Sequence, residues 1–308
     1  MNLLHMKYAV AVAETQSINK AAERLYVGQS ALSRAIKELE GSLGVTLFER
    51  SSKGMTLTPE GEMFIRYARS VLSQVDAMEE MFREGAVSRK RFSISVPRAS
   101  YIAAAFAAFS RTIPDGERAE LVYRETNAMR ALKNILQDEC KLAILRYAEN
   151  YDRYYQDMIE DKGLASESVA EFRYVLAMSG KSPLAGLPRI TYDDLRGGVE
   201  VAHADPYVPT LPFAEVKKEE LPDNTDRRIF VFERASQFEL LAENPETFMW
   251  VSPIPGDLLD RYGLVQRACD ENRRVYRDVL IHRKDYSLSD LDNAFITELI
   301  RTKRAVLD

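Results

Sequence analysis

From Ser17 onward the apolar positions fall at helical spacing. Ile18, Ala21, Ala22 and Leu25 share one side of a short helix. Ser17 predicts its N-cap, with a hydroxyl available to a free backbone N–H of the first turn. Val27-Gly28 interrupts the pattern, glycine accepting backbone angles that other residues resist. The period then resumes. Ala31, Leu32, Ala35, Ile36, Leu39 and Leu43 turn inward on a second helix, and Gln29, Ser30, Ser33, Arg34 and Lys37 occupy its opposite face. Two helices around a tight turn read as a helix-turn-helix. An ordinary amphipathic pair would carry the same periodicity, so this segment alone leaves both readings open.

The next residues change the pattern. GVTLFER (44–50) is a short β-rich run, Ser51-Ser52-Lys53-Gly54 is a turn, and Met55-Thr56-Leu57-Thr58 is a second run. Two such runs around a Gly-containing turn predict a hairpin, which beside a helix-turn-helix is a wing. Arg50 and Lys53 sit where a wing meets a phosphate backbone, though each is equally readable as a solvated surface cation. Thr58-Pro59-Glu60 opens a third helix, with threonine as N-cap, proline at the first helical position and a carboxylate at the positive end of the dipole. Along it Phe64, Ala68, Val71, Val75, Met78 and Phe82 alternate spacings of four and three. That is the a/d seam of a coiled coil, with Arg66, Arg69, Asp76, Glu79, Glu80 and Arg83 off the seam, so a partner helix is expected.

Beyond a hinge at Gly85–Arg91, strand and helix signals alternate. Strands are expected at Arg91–Val96, Ala119–Arg124 and Leu142–Leu145, with helices at Tyr101–Arg111 and Met129–Gln137. Phe172–Met178 begins a crossover to a second lobe. There, strands fall near Gly198–Ala202, Arg228–Phe232 and Thr247–Val251, and helices near Ala235–Leu241 and Gly256–Tyr262. Val275–Ile281 reads as a returning strand and Leu288–Val306 as a closing helix. This is α/β alternation with parallel members. The tyrosine-rich stretch Tyr147–Tyr155 reads as a mobile or binding loop, or as a solvated aromatic surface.

Charge sharpens the division. The formal net charge is −5, but residues 1–54 carry seven Lys/Arg against five Asp/Glu, leaving the remainder at −7. A mildly basic head on an acidic body suits a chain whose bulk does something other than hold nucleic acid. No N-terminal apolar signal and no membrane-length apolar run are expected, so a cytoplasmic location without membrane contact is the reading. Cys140 and Cys269 form no metal motif and read as free structural thiols. There is no P-loop, dinucleotide fingerprint, HExxH or nucleophile elbow, and the three histidines, His5, His203 and His282, are far apart. An enzyme is not expected, nor a metal or cofactor.

SINKAAERL, QSALSRAIKELEGSLGVTLFER and TLTPEG together resemble the N-terminal domain of the LysR-type transcriptional regulators over about sixty residues. One departure is Gly28, where that family usually carries serine, so a cap or phosphate contact is expected to be missing. The resemblance implies a winged helix-turn-helix over 1–58, a dimerisation linker helix over 59–88, and an effector-binding domain of two periplasmic-binding-protein-like α/β lobes over 89–308. It implies a sequence-specific DNA-binding regulator that forms homodimers or homotetramers on a double-stranded operator, responds to a small-molecule effector and contacts RNA polymerase. Gln29, Ser33, Arg34 and Lys37 match positions facing bases or phosphates, and Ser30 joins them on the polar face. A second departure is Lys141, where an aspartate usually precedes the strand.

Ligands of open α/β sheets sit beyond the carboxyl ends of strands, near helix N-termini that favour anions. The first such junction offers Arg98, Ser100 and Tyr101. Equivalent strand ends offer Arg146 and Tyr147, His203 and Asp205, Arg234 and Ser236, and Pro253 and Ile254. The expected effector is an organic anion, which Arg98 could pair with. For most of these residues capping, packing or exposure explains the position equally well.

Overall fold

The computed structural model describes residues 2–51, 54–83, 89–204 and 225–307. The chain divides into two compact units, 1–88 and 89–308.

In the first unit three helices, α1 (Leu3–Thr15), α2 (Ile18–Arg24) and α3 (Gln29–Leu43), precede a hairpin of β1 (Phe48–Ser51) and β2 (Gly54–Leu57) and a long helix α4 (Pro59–Arg83). Ala9, Val12, Ala21, Leu32, Ile36, Leu39 and Leu47 are buried together, so the predicted apolar faces of α2 and α3 close on α1 and on the residue leading into the hairpin. Ser17 caps α2 by accepting from the Lys20 amide. Thr58 closes the start of α4. Its Oγ1 accepts from Gly61 N at 2.9 Å and donates to Thr46 O at 2.7 Å. Thr58→Ala is expected to cost about 1 kcal/mol of stability without changing the fold, measured as a lower denaturation midpoint at unchanged m-value.

Three expectations here need correcting. Gly28 does not make the turn: it is extended (φ −67°, ψ 134°), and the left-handed residue is Tyr26, φ 54°. Ala31 is exposed and not inward, because it lies on the shoulder between the buried and polar faces of α3. The α4 seam is also divided. Ala68 is buried and Phe64 half-buried against Met6, Val10 and Leu72, so the first two seam positions pack within this unit. Among the described side chains of α4, the large apolar residues left exposed are Met63, Tyr67, Val71 and Met78. Phe82's side chain and most of the expected 85–91 hinge lie outside the described residues.

The second unit holds two five-stranded sheets. In the first, β3 (Lys90–Val96), β4 (Ala119–Glu125) and β5 (Leu142–Ala148) run parallel. β12 (Val275–Arg283) is antiparallel between β5 and β6 (Leu164–Arg173), giving the order β4-β3-β5-β12-β6. One face carries α5 (Ser100–Ser110) and the C-terminal helix Asp290–Leu307, packed through Phe92, Phe109 and Phe295. The other carries α6 (Ala128–Leu136) and α7 (Asp152–Asp161). The second sheet has the order β11-β7-β10-β8-β9, with β7 (Val175–Ser179), β8 (Val199–His203), β9 (Arg227–Val231), β10 (Thr247–Val251) and β11 (Leu264–Arg267). β10, β8 and β9 run parallel; β7 is antiparallel to β10, and the edge strand β11 is antiparallel to β7.

The chain crosses between sheets twice, at Tyr174 and along 268–274, and Asn272 Nδ2 ties the crossings by donating to Tyr174 O at 2.9 Å. The sheets are mixed and hold the parallel members that the alternation predicts. The tyrosine-rich stretch is a correction: after the end of β5 it forms a 3-10 turn over Glu149–Tyr151 followed by α7. Tyr155, in α7, is fully buried and stacks on Tyr147 with centroids 4.3 Å apart, so these rings are core.

Candidate nucleic-acid interface and regulatory cleft

At about 100° per residue, Gln29, Ser30, Ser33, Arg34 and Lys37 fall on one side of α3, opposite Leu32, Ala35, Ile36 and Leu39. The structure brings all five together. Gln29, Ser30, Arg34 and Lys37 are exposed and Ser33 is half-buried, while the opposing four are buried. Gly28 at the N-cap contributes no side-chain hydrogen bond, so no side chain of the cap residue covers the positive end of α3.

The hairpin is held to this helix by a residue that the sequence reading passed over. Glu40 Oε1, from α3, accepts from Leu47 N at 2.8 Å and Phe48 N at 3.1 Å. The other end is stitched to α1, Met55 N donating to Gln16 O at 2.9 Å. Gly54 is required there: its φ is 116°, and a Cβ would lie 2.6 Å from Gln16 O. In the hairpin register Arg50 pairs with Met55, and Lys53 lies outside the described residues. Glu40 had a signal, an acidic side chain between buried Leu39 and the hairpin, but spacing cannot reveal that it reaches forward to amides seven and eight residues on.

In the second unit a buried charge pair joins neighbouring strands of the first sheet and reaches one residue of the second lobe. Arg146, at the end of β5, points to the α5 side of its sheet. Its Nε donates to Asp278 Oδ1 at 2.8 Å and its Nη2 to Asp278 Oδ2 at 2.6 Å, a bidentate pair. Arg146 Nη1 also reaches Ser252 Oγ of the second lobe at 3.2 Å. Tyr101 OH donates to the same Asp278. Asp278 is fully buried and the Arg146 side chain is 9% exposed. Burial alone would weaken the arginine's hold on its proton, but the neighbouring carboxylate outweighs it and holds the pKa above the usual range. Burial, then Asp278, pushes the Tyr101 hydroxyl well above its ordinary value. A second link joins the lobes, Arg234 Nε donating to Glu125 Oε1 at 2.6 Å.

A cavity of about 250 Å³ lies beside the crossings, walled by Tyr174, Tyr276, Tyr192 and Trp250 and the 271–274 loop. Tyr174 stacks on Tyr276 at 4.0 Å and also faces the Arg146 guanidinium at 5.9 Å.

Residues 3–62 match the family description "Bacterial regulatory helix-turn-helix protein, lysR family". The HTH-type transcriptional regulator BenM of Acinetobacter baylyi is 46% identical over 94 residues, 30% of this chain and 31% of that protein. The chain thus spans about a third of BenM's length. AlsR, an HTH-type transcriptional regulator of Bacillus subtilis, is 28% identical over 291 residues, covering 92% of this chain and 91% of that protein. The full-length structure of CbnR complexed with its target DNA superposes with a TM-score of 0.59 at 20% identity, over 98% of this chain and 100% of that chain. Residues 3–62 are thus a lysR-family regulatory helix-turn-helix.

In the second unit the remaining strand-end residues separate. Arg98, Ser100 and Tyr101 follow parallel β3; His203 ends β8, Ser236 lies past β9 and Pro253 past β10. Arg98, His203 and Pro253 are half-buried, Ser236 is exposed, and Ser100 and Tyr101 are buried. Tyr101 is engaged by Asp278. Tyr147 turns the other way from Arg146, into the α6 and α7 core, where its hydroxyl donates to Asp152 at 3.1 Å. Alternation along β5 sends consecutive residues to opposite faces. Asp205 lies outside the described residues. Asp278, Glu125 and Ser252 were missed. Asp278 had a signal, the one acid inside the apolar run Val275–Ile281, since a charge in a buried strand needs a partner. Among the described residues no group of His, Cys, Asp or Glu could hold a metal, and no helix is long and apolar enough to cross a membrane.

Proposed function

We propose that the chain binds a specific double-stranded operator with α3 in the major groove, and that an organic anion bound among the strand ends of the second unit controls this grip. The observation that carries the reading is the solvent-facing set Gln29, Ser30, Arg34 and Lys37 on a helix whose inner face is locked in a core. Gln, Ser and Arg side chains at the start of a helix read base edges, and Lys37 contacts phosphate. Ser33 supports the same face, and Arg50 and Lys53 serve the wing.

The protein acts as a homodimer or homotetramer. The exposed Met63, Tyr67, Val71 and Met78 on α4 form the stripe that a second copy covers, and a two-fold protein matches a two-fold site. It is not an enzyme and uses no cofactor. Its place is the cytoplasm, with operator DNA and RNA polymerase.

Regulation runs through the lobes. Arg98 and Ser100 receive the anion, with Tyr101, His203, Ser236 and Pro253 around them; Tyr147 supports the wall from behind. An effector shifts the lobes only by binding one arrangement more tightly than the other, and DNA must then shift effector affinity by the same factor. The test is a mobility shift of the purified protein on DNA flanking its own gene, in excess nonspecific competitor. A competitor-resistant complex is expected. If neither that DNA nor any duplex enriched from a random pool gives one, the reading is wrong.

A further inference from the structure

The turn between α2 and α3 carries its two unusual residues the opposite way round from what the backbone asks. Tyr26 holds the left-handed conformation, φ 54°, which residues with a Cβ enter only at a cost and which glycine or asparagine enters readily. Gly28 is in ordinary extended backbone, and a Cβ there would meet nothing within 4 Å. The fold would accept any residue at 28 and would prefer a different one at 26. The tyrosine ring offers no compensation, because Tyr26 is 96% exposed. The turn is shaped by main-chain bonds instead, from Tyr26 N to Glu23 O at 3.2 Å and from Val27 N to Ala22 O at 3.0 Å. A strained residue that buries nothing in the free protein points to a contact made only in a complex.

Its place says which contact. Tyr26 lies three residues before Gln29, in the turn leading into the exposed face of α3. With no side chain at position 28, a bound partner can approach the backbone between the two closely. A side chain just ahead of a helix laid in the major groove stands over the groove's rim, where the groups on offer are phosphates and sugars. We propose that Tyr26 is a DNA-backbone contact of this regulator, its neutral hydroxyl donating to a phosphate oxygen beside the bases that α3 reads. The inference rests on α3 being the reading helix.

The experiment uses full-length protein and the operator duplex obtained in the mobility shift. Tyr26→Phe keeps the ring and removes only the donor. It is expected to weaken binding about tenfold, equally on operator and mismatched duplexes. The salt slope should stay that of the unsubstituted protein, since no charge has been removed. Tyr26→Asn should lose at least as much affinity yet melt at a higher temperature, because asparagine relieves the left-handed strain. That opposition of signs is what a structural tyrosine would not produce.

Binding by Tyr26→Phe within twofold of the original overturns the proposal. So does a loss confined to particular base pairs, or a lower melting temperature for Tyr26→Asn. Arg34→Ala run alongside separates the two levels. If it weakens binding while Tyr26→Phe does not, only this inference fails; if both leave binding intact, the reading of α3 fails with it.

Discussion

Arg146→Met is expected to destabilise the second unit by about 3–5 kcal/mol, because it leaves the Asp278 carboxylate buried without its partner. Asp278 is fully buried, and two of its strongest hydrogen bonds come from the one guanidinium. Tyr101 alone cannot compensate, since one neutral donor does not balance a full charge at low dielectric. For a domain of this size the loss corresponds to a melting-temperature drop of roughly 6–20 °C. The decisive control is Arg146→Met with Asp278→Leu, which removes both charges and should recover most of the loss, leaving Tyr101 without an acceptor as the residual cost. A single variant melting within about 2 °C of the original would mean that the pair is not a buried one. The same guanidinium holds Ser252 of the other lobe, so the double variant also loses that link between the lobes even where its stability has recovered.

The second large effect falls on DNA. Arg34→Ala is expected to cost about 1–3 kcal/mol of operator affinity, roughly five- to 150-fold, and to relax discrimination at one base pair of each half-site. Arginine is the commonest bidentate reader of guanine, and Arg34 is exposed on the first turns of α3, where a helix in the major groove meets base edges. Binding curves on the operator and on single-base variants distinguish this from a phosphate role. A phosphate contact would instead lower affinity uniformly and reduce the salt slope by about one. No loss on any duplex would remove Arg34 from the interface. The folded state should be unaffected, since the residue packs against none of the buried side of α3.

Much of the first unit was legible because it is built from local rules. Ser17 and Thr58 cap the helices they precede, and the inward positions Leu32, Ile36 and Leu39 are all buried. The turn misled because its geometry is set by main-chain bonds to Ala22 and Glu23, which composition does not reveal; a glycine in the sequence drew the attention that belonged to Tyr26. The long helix misled for a related reason. A heptad marks which residues are apolar along α4, but α1 competes for the same side, and Ala68 went to the nearer neighbour.

In the second unit, buried strands such as Ile94–Val96 and Leu142–Leu145 announced themselves as apolar runs. β6 did not, because its long edge-strand sequence, LASESVAEFR, alternates weakly and faces solvent along much of its length. α7 did not either, since only Tyr155 and Ile159 of it are buried, and that tyrosine reads as surface until it is seen against Tyr147.

The sequence by itself determined which segments are helix and which strand wherever one face must be apolar, and it determined the chemistry displayed on the outer face of α3. Those are properties of neighbours three or four residues apart, where periodicity and capping act. Only the tertiary structure decided that Arg146 and Asp278, 132 residues apart, share one buried pair with a serine of the other lobe. It also decided that Glu40 fastens the hairpin to its helix and that Tyr26 stands strained and bare beside it. The physical reason is common to all three. A charge or a strained turn is settled by what lies opposite it in space, and no period along the chain encodes that distance.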